Sequence, residues 1–575
     1  MKIRFGLISF FLFGILNLTN AQTERCAKLQ VALEAPLNQY NLDLSSCNIS
    51  SLPENMGEMK NLMFLDLSSN EIKFLPESFG QLEKLSMLNL QGNSIAALPA
   101  SIANMIELTS LQLAENKIPK LPSVIGNLVN LNYLGVSRND LASIPSTIGK
   151  LSELNSLDLD FNQLETLPDE IGNLKKLTSL NVSNNNIAQL PKGMFNLKNM
   201  AYLNLSANKI SELSEDIKNL KNLNDLNLDL NNLTTLPSEI GALENLEWLG
   251  LEENQISTLP SEIGNLANLK SLNVSYNQLT QLPVSIGNLA NLTQLYINDN
   301  QISSLPTSIE KLGMLEELNI SGNMIITLPN EIGNLAALHT LEIGENQISE
   351  LPESIGKLVN LVNANFSGNS LSQLPDGIGS LVKLQSLDAS RNQINSISAM
   401  ISGLTSLKSL NLRENQITAF PIELTKLVVL EELILSENQI KELPKNIGDL
   451  VNLSSLSLDG NFIKELPDEI SSLTNLKKLY LSGNSLEDLP DEIGELHNLN
   501  YLSLDGNQLS SIPKEIGDLS SLTYLSLEGN LLKKLPEEIG NLENLQFLFL
   551  GGNLFTYKEQ QKIKSWLPEG CNVTF

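Results

Sequence analysis

Asparagine stands at positions 70, 93, 116 and 139 and then recurs every 23 residues, without a slip, to Asn553. Cys47 holds the slot before Asn70, so the 23 slots from 47 to 553 contain 22 Asn and one Cys with no insertion. This periodicity constrains the fold more than any other feature of the chain. A unit so short cannot bury its own apolar face and must stack on its neighbours. The 575 residues are therefore expected to form one solenoid rather than the several ordinary domains that length alone would suggest.

Around each slot the pattern is L-x-x-L-x-L-x-x-N-x-[IL]-x-x-L-P-x-x-[IFV]-G-x-L, as in Leu62, Leu65, Leu67, Asn70, Ile72, Leu75, Pro76, Phe79, Gly80 and Leu82. The alternating L-x-L has the period of a strand, and strands stacked one per repeat make a parallel sheet. Asparagine carries both a donor and an acceptor, so a column of it can satisfy backbone groups where each strand turns inward. Proline fills 20 of 22 equivalent slots; Ser214 and Ser398 are the exceptions. Proline suits the first position of a helical turn and glycine the residue just after its end. Leu-Pro-x-x-Ile-Gly thus reads as one tight 3₁₀-like turn on the outer face. Ser214–Lys218 and Ser398–Ser402 lack both signals, and local irregularity is expected there.

Through these residues the chain resembles the leucine-rich repeat proteins, over about residues 40–556. The LPxxIGxL half is similar to the class found in Ras-binding scaffolds and plant disease-resistance-type repeat proteins. The resemblance implies an α/β solenoid: a horseshoe with a concave parallel β-sheet, short 3₁₀ or turn segments on the convex face, and partners bound on the concavity. The expected organisation is a signal peptide over 1–21, an N-terminal capping helix over 22–40, the solenoid over 41–556 and a C-terminal cap over 557–575. The last segment reads as a helix from Tyr557 to Leu567, then Pro568 and a strand-like CNVTF, an ending that resembles the caps of bacterial exported repeat proteins.

Lys2 and Arg4 ahead of the apolar run Phe5–Leu16, with Ala21 closing a short polar region, form a secretory signal too short for a membrane span. The protein is expected to be exported, to the periplasm or the cell exterior, without inserting in a membrane. Five asparagines, Asn181, Asn204, Asn273, Asn319 and Asn365, begin N-x-S acceptor patterns that glycans would fill in a eukaryotic secretory pathway, so a bacterial source fits better. Three cysteines leave at least one free; Cys26 and Cys47 could pair, although Cys47 reads more readily as a small buried ladder residue.

The whole chain holds 65 acids against 37 bases, a net charge of −28, which disfavours nucleic acid as a partner. Only two histidines are present, in repeats too far apart to share a site, and no catalytic motif appears. The chain is read as a non-enzyme without cofactor or structural metal; weak calcium binding at Asp229, Glu252 and Glu253 is left open.

The positions 6, 4, 2 and 1 residues before each slot should face the concavity. They carry 20 acids and four bases, and twelve of the chain's aromatic residues. One group combines both signals: Tyr202, Trp248, Tyr276 and Tyr296 with Asp225, Asp229, Glu252, Glu253 and Asp299. Exposed aromatics ringed by polar groups are the stuff of binding hot spots. A second group, Tyr480, Tyr501, Tyr524, Phe547 and Phe549, includes two phenylalanines expected to pack under the C-terminal cap. The function expected is a secreted, monomeric protein-binding scaffold whose acidic face takes a basic protein. The alternatives are a carbohydrate-binding surface module or adhesin, with Trp248 and the tyrosines stacking on sugars, and a passive surface-layer component.

Overall fold

The computed structural model describes residues 26–575, so the expected signal over 1–21 lies outside the described residues. The chain divides into two compact units between Gln278 and Leu279. In the first, residues 26–34 are helical and Pro36–Asn38 forms a 3₁₀ turn. Eleven three-residue strands follow, from Asn41–Asp43 to Ser271–Asn273. The second unit holds thirteen, from Gln294–Tyr296 to Asn572–Thr574, with the helix Tyr557–Trp566 before the last. Within each unit consecutive strands pair in parallel, one repeat apart except at the last pair, as Phe64 with Met87 or Lys478 with Tyr501.

The middle residue of every described strand except the last is buried, and the two flanking residues turn the other way, as a two-residue period requires. Leu65, Leu67, Ile72, Phe79, Leu82 and Leu85 of one repeat are all fully buried. Each such side chain contributes roughly 1.5–3 kcal/mol on leaving water, and the neighbouring coils supply the surface that covers it.

The ladder asparagines bind in one repeating way. Asn346 accepts the Ile325 N–H at 3.0 Å and donates its amide hydrogens to the carbonyls of Ile320 and Ile343 at 3.0 and 3.1 Å. Each therefore closes two adjacent repeats at once. Cys47 departs from its expected burial: it is half-exposed and forms a disulfide with Cys26, fastening the N-terminal helix to the first repeat. Its slot needs no asparagine side chain because no described repeat precedes it, while Asn70 still accepts the Cys47 N–H at 2.9 Å.

The outer turns correct three expectations. Proline is the residue before the turn, as Pro76 is before Glu77–Gln81, and its carbonyl accepts the Phe79 N–H at 3.0 Å. Glycine lies inside the turn with a right-handed backbone, and the reason is packing: a Cβ on Gly494 would stand 2.6 Å from the Glu515 carbonyl of the next turn. The repeats at Ser214 and Ser398 keep the same five-residue turn. Serine adopts proline's dihedrals there and caps the turn by accepting the N–H of Asp216 or Met400. The missing glycine registers elsewhere: Phe195 and Lys218 hold consecutive glycine slots, and an outer hollow of about 530 Å³ opens beside Phe195 and Ser214.

Candidate functional site

The strand-flanking residues form the exposed sheet face. In the first unit Tyr202, Asp225, Trp248 and Ser271 lie side by side in register on four adjacent strands. The adjoining row is Asn204, Asn227, Gly250 and Asn273. Trp248 rests across Gly250, where any side chain would collide with the indole ring and crowd the Asp229 carboxylate. Gly250 thus decides the pose of the tryptophan. Tyr202 is exposed, with its hydroxyl held above the usual tyrosine range by burial and by the nearby carboxylate of Asp225.

Most asparagines of the second row serve the backbone. Asn181, Asn204 and Asn273 accept the N–H two residues ahead, from Ser183, Ser206 and Ser275, at 3.2, 3.1 and 3.0 Å. Gly250 cannot do this for Glu252. Asp229 of the preceding repeat does so instead, accepting the Glu252 N–H at 2.7 Å, while the Glu252 carboxylate accepts from Asn273 at 2.8 Å. Burial pushes the Asp229 carboxyl up to about 6, with repulsion from Glu252 and Glu253 adding to it.

Seven of the nine expected site residues, Tyr202 through Tyr276, belong to this first unit. Tyr296 and Asp299 belong to the second. There the Tyr296 hydroxyl donates to Glu317 and is pushed up to about 12, chiefly by burial and then by that bond. Asp299 is exposed and accepts from Asn298 at 2.8 Å.

Family models for a leucine-rich repeat region match residues 4–121, 120–203, 240–323, 318–411, 422–499 and 487–565, and one for a leucine rich repeat matches 175–233. The chain belongs to the leucine-rich repeat family. Among solved structures it is similar to the plant peptide hormone receptor RGFR1 in complex with RGF2, at 29% identity and TM-score 0.72, covering 93% of this chain and 94% of that one. It is also similar to the Arabidopsis receptor kinase HAESA in complex with the peptide hormone IDA and the co-receptor SERK1, at 29% identity and TM-score 0.65, covering 90% and 91%. A third similar structure is YopM from Yersinia enterocolitica, at 26% identity and TM-score 0.60, covering 85% and 92%. No curated protein matches the chain.

In this leucine-rich repeat protein every ladder asparagine follows a residue with a left-handed backbone. Glycine, which suits that geometry, holds the position in eight repeats, whereas Glu253, Tyr276 and Asp299 hold it at φ of 50°, 53° and 53°. Three candidate contact residues therefore stand where an L side chain is disfavoured. The acidic patch also reaches further than the expected group. Asp158 and Asp160 are held above the usual carboxylate range by burial, and for Asp158 by Asp160 beside it. They add to the field at Tyr202, and their signal was already present among the acids counted on the face. Of the two phenylalanines expected to pack under a C-terminal cap, Phe547 is exposed and Phe549 half-buried; they adjoin each other and Tyr524, in register with Asn572 and Thr574 of the last strand. Among the described residues no group of three or more His, Cys, Asp or Glu could hold a metal ion, and no helix is long and apolar enough to cross a membrane.

Proposed function

We propose that this protein is an exported, non-catalytic scaffold that binds a protein of basic character on the acidic, aromatic strand face of its first unit. The observation that carries this reading is the in-register row Tyr202, Asp225, Trp248, with Glu252, Glu253 and Tyr276 on the strand ends beside it. Its aromatic rings offer contact area and its carboxylates steer a cationic partner. Tyr296 and Asp299 are assigned to the same role on the second unit's own strand face. The RGFR1 and HAESA structures contain peptide hormones, which supports a polypeptide partner. The Cys26–Cys47 disulfide supports an oxidising compartment and hence export.

The test displays arrays of secreted and surface-exposed proteins to residues 22–575 at low and high salt, beside the Trp248→Ala and Asp225→Asn variants. A partner that binds more than tenfold weaker to each variant, and weaker at high salt, supports the reading. Equal affinity of wild type and Trp248→Ala for every partner found would sink it.

A further inference from the structure

The strand face of the second unit contains a feature of a different kind. Ser455 and Ser457 are short side chains set between longer ones, with Glu432 and Ile434 on one side and Lys478 and Tyr480 on the other, and Ser436 adds a third hydroxyl to the lining. The result is an open hollow of about 430 Å³, within the range of small-molecule sites, roughly 300–1,000 Å³. It lies wholly on strands of the second unit and shares no residue with the acidic patch of the first.

One wall is aromatic. Tyr480 adjoins a stacked pair: its ring centroid is 4.9 Å from that of Tyr501, with 40° between planes, and Tyr501 lies on Tyr524 at 4.1 Å with 10° between planes. Tyr480 is the aromatic ring that lines the hollow. The floor is hydroxylic and already oriented, because Ser436 and Ser457 bond to each other and Ser457 donates to Asp459 at 3.0 Å. Asp459 is held in turn by the Ser482 N–H at 2.8 Å.

The charges are mixed. Two bases of the lining, Arg413 and Lys478, stand against three acids, Glu432, Glu437 and Asp459, and Arg413 is paired with Glu414 at 2.9 Å. A strongly charged partner gains little from such a mixture, and Ile434 is the one aliphatic side chain in the lining. Sugars present what the hollow lacks nothing to meet: an apolar C–H face, and hydroxyls that both donate and accept. The geometry points to a binding site for a neutral sugar unit of an oligosaccharide, its C–H face on Tyr480 and its hydroxyls shared among Lys478, Glu432 and Ser455. Lys478 donates, Glu432 accepts, and Ser455 does both.

The experiment is saturation-transfer NMR and calorimetry on residues 22–575 with maltohexaose, cellohexaose and chitohexaose as probes. Tyr480→Ala removes the platform, and Ser455→Trp fills the hollow without touching the buried Leu456. Lys117→Ala, an exposed change in the other unit, is the control, and thermal midpoints check folding. The expected result is that at least one hexaose binds the wild type, with transfer strongest at ring C–H protons. Binding falls at least tenfold in both strand-face variants and is unchanged in Lys117→Ala. If Tyr480→Ala lowers the thermal midpoint, Ser455→Trp decides. No binding of any hexaose, binding that survives Ser455→Trp, or binding lost with Lys117→Ala overturns the assignment. Binding of a peptide in the hollow in place of all three sugars overturns it as well. None of these outcomes bears on the protein partner of the first unit.

Discussion

The carboxylate of Asp229 accepts the backbone N–H of Glu252 across one repeat, at 2.7 Å. It stands in for the asparagine that Gly250 replaces. The same exchange recurs in the second unit, where Asp459 accepts from Ser482 beside Tyr480, and Asp505 accepts from Glu528 beyond Ser526, each at 2.8 Å. An aspartate on the preceding repeat is thus the substitute where the strand-end position is a glycine, an aromatic ring or a serine and not an asparagine.

A pH dependence follows from this arrangement. Burial pushes the Asp229 carboxyl from the usual aspartate value up to about 6, so the folded chain keeps a proton that the unfolded chain would release. The stability this proton contributes is present below about pH 4 and is lost as pH rises through about 6. Asp229→Asn keeps the oxygen acceptor and removes the charge. Thermal midpoints measured from pH 4 to 8 should coincide for variant and wild type at the acid end, with the variant the more stable above pH 6. Parallel curves would mean that Asp229 carries its charge at no cost.

Glu253 trades stability for a placed charge. Its backbone is left-handed, at φ 50°, a geometry that disfavours L side chains by roughly 1–2 kcal/mol. Glu253→Gly relieves that cost but loses some entropy on folding, so a net gain of about 0.5–1 kcal/mol is expected. Denaturant midpoints should rise while affinity for a basic partner falls. A lower midpoint would show that the glutamate side chain stabilises the turn.

Asn346 should be among the most costly single positions to change. Replacing it by alanine leaves the Ile325 N–H and the Ile320 carbonyl without their partner inside a closed stack. Buried unsatisfied groups cost about 1–3 kcal/mol each, so a loss of roughly 2–4 kcal/mol is expected. Hydrogen exchange should rise first in the repeats holding residues 320–346, since each coil relies on its neighbours. Exchange that rises uniformly along the chain would contradict this.

Most of the repeat was legible because an unbroken period assigns each residue a face. The strands, the ladder and the outward placement of Tyr202, Asp225 and Trp248 all follow from counting back from asparagine. What was not legible depends on contacts between repeats. The glycine of each turn looked like a helix-ending residue, whereas its neighbour's carbonyl leaves no room for a Cβ. Ser214 looked like a defect because the pattern records proline and not the dihedrals that serine can share. Cys47 looked like a ladder residue because the slot does not reveal that Cys26 is brought back to it. The hollow beside Tyr480 arises from differences in side-chain length on adjacent strands, which no single repeat displays.

Gly494 offers the most direct check on how the outer turns pack. A Cβ there would stand 2.6 Å from the Glu515 carbonyl oxygen and 3.0 Å from the Glu515 Cβ. Its backbone is right-handed, so alanine meets no conformational penalty and even has the better helix propensity. If conformation governed this position, Gly494→Ala would be neutral or stabilising. If packing governs it, the two turns must separate, and overpacking of this kind costs about 1–3 kcal/mol. Alanine at Gly551 is the useful contrast: the nearest atom there is a terminal oxygen of the flexible Glu528 side chain, which can move aside. Equilibrium denaturation should find Gly494→Ala destabilised by that amount and Gly551→Ala within about 0.5 kcal/mol of wild type. Equal effects at the two positions would refute the packing account.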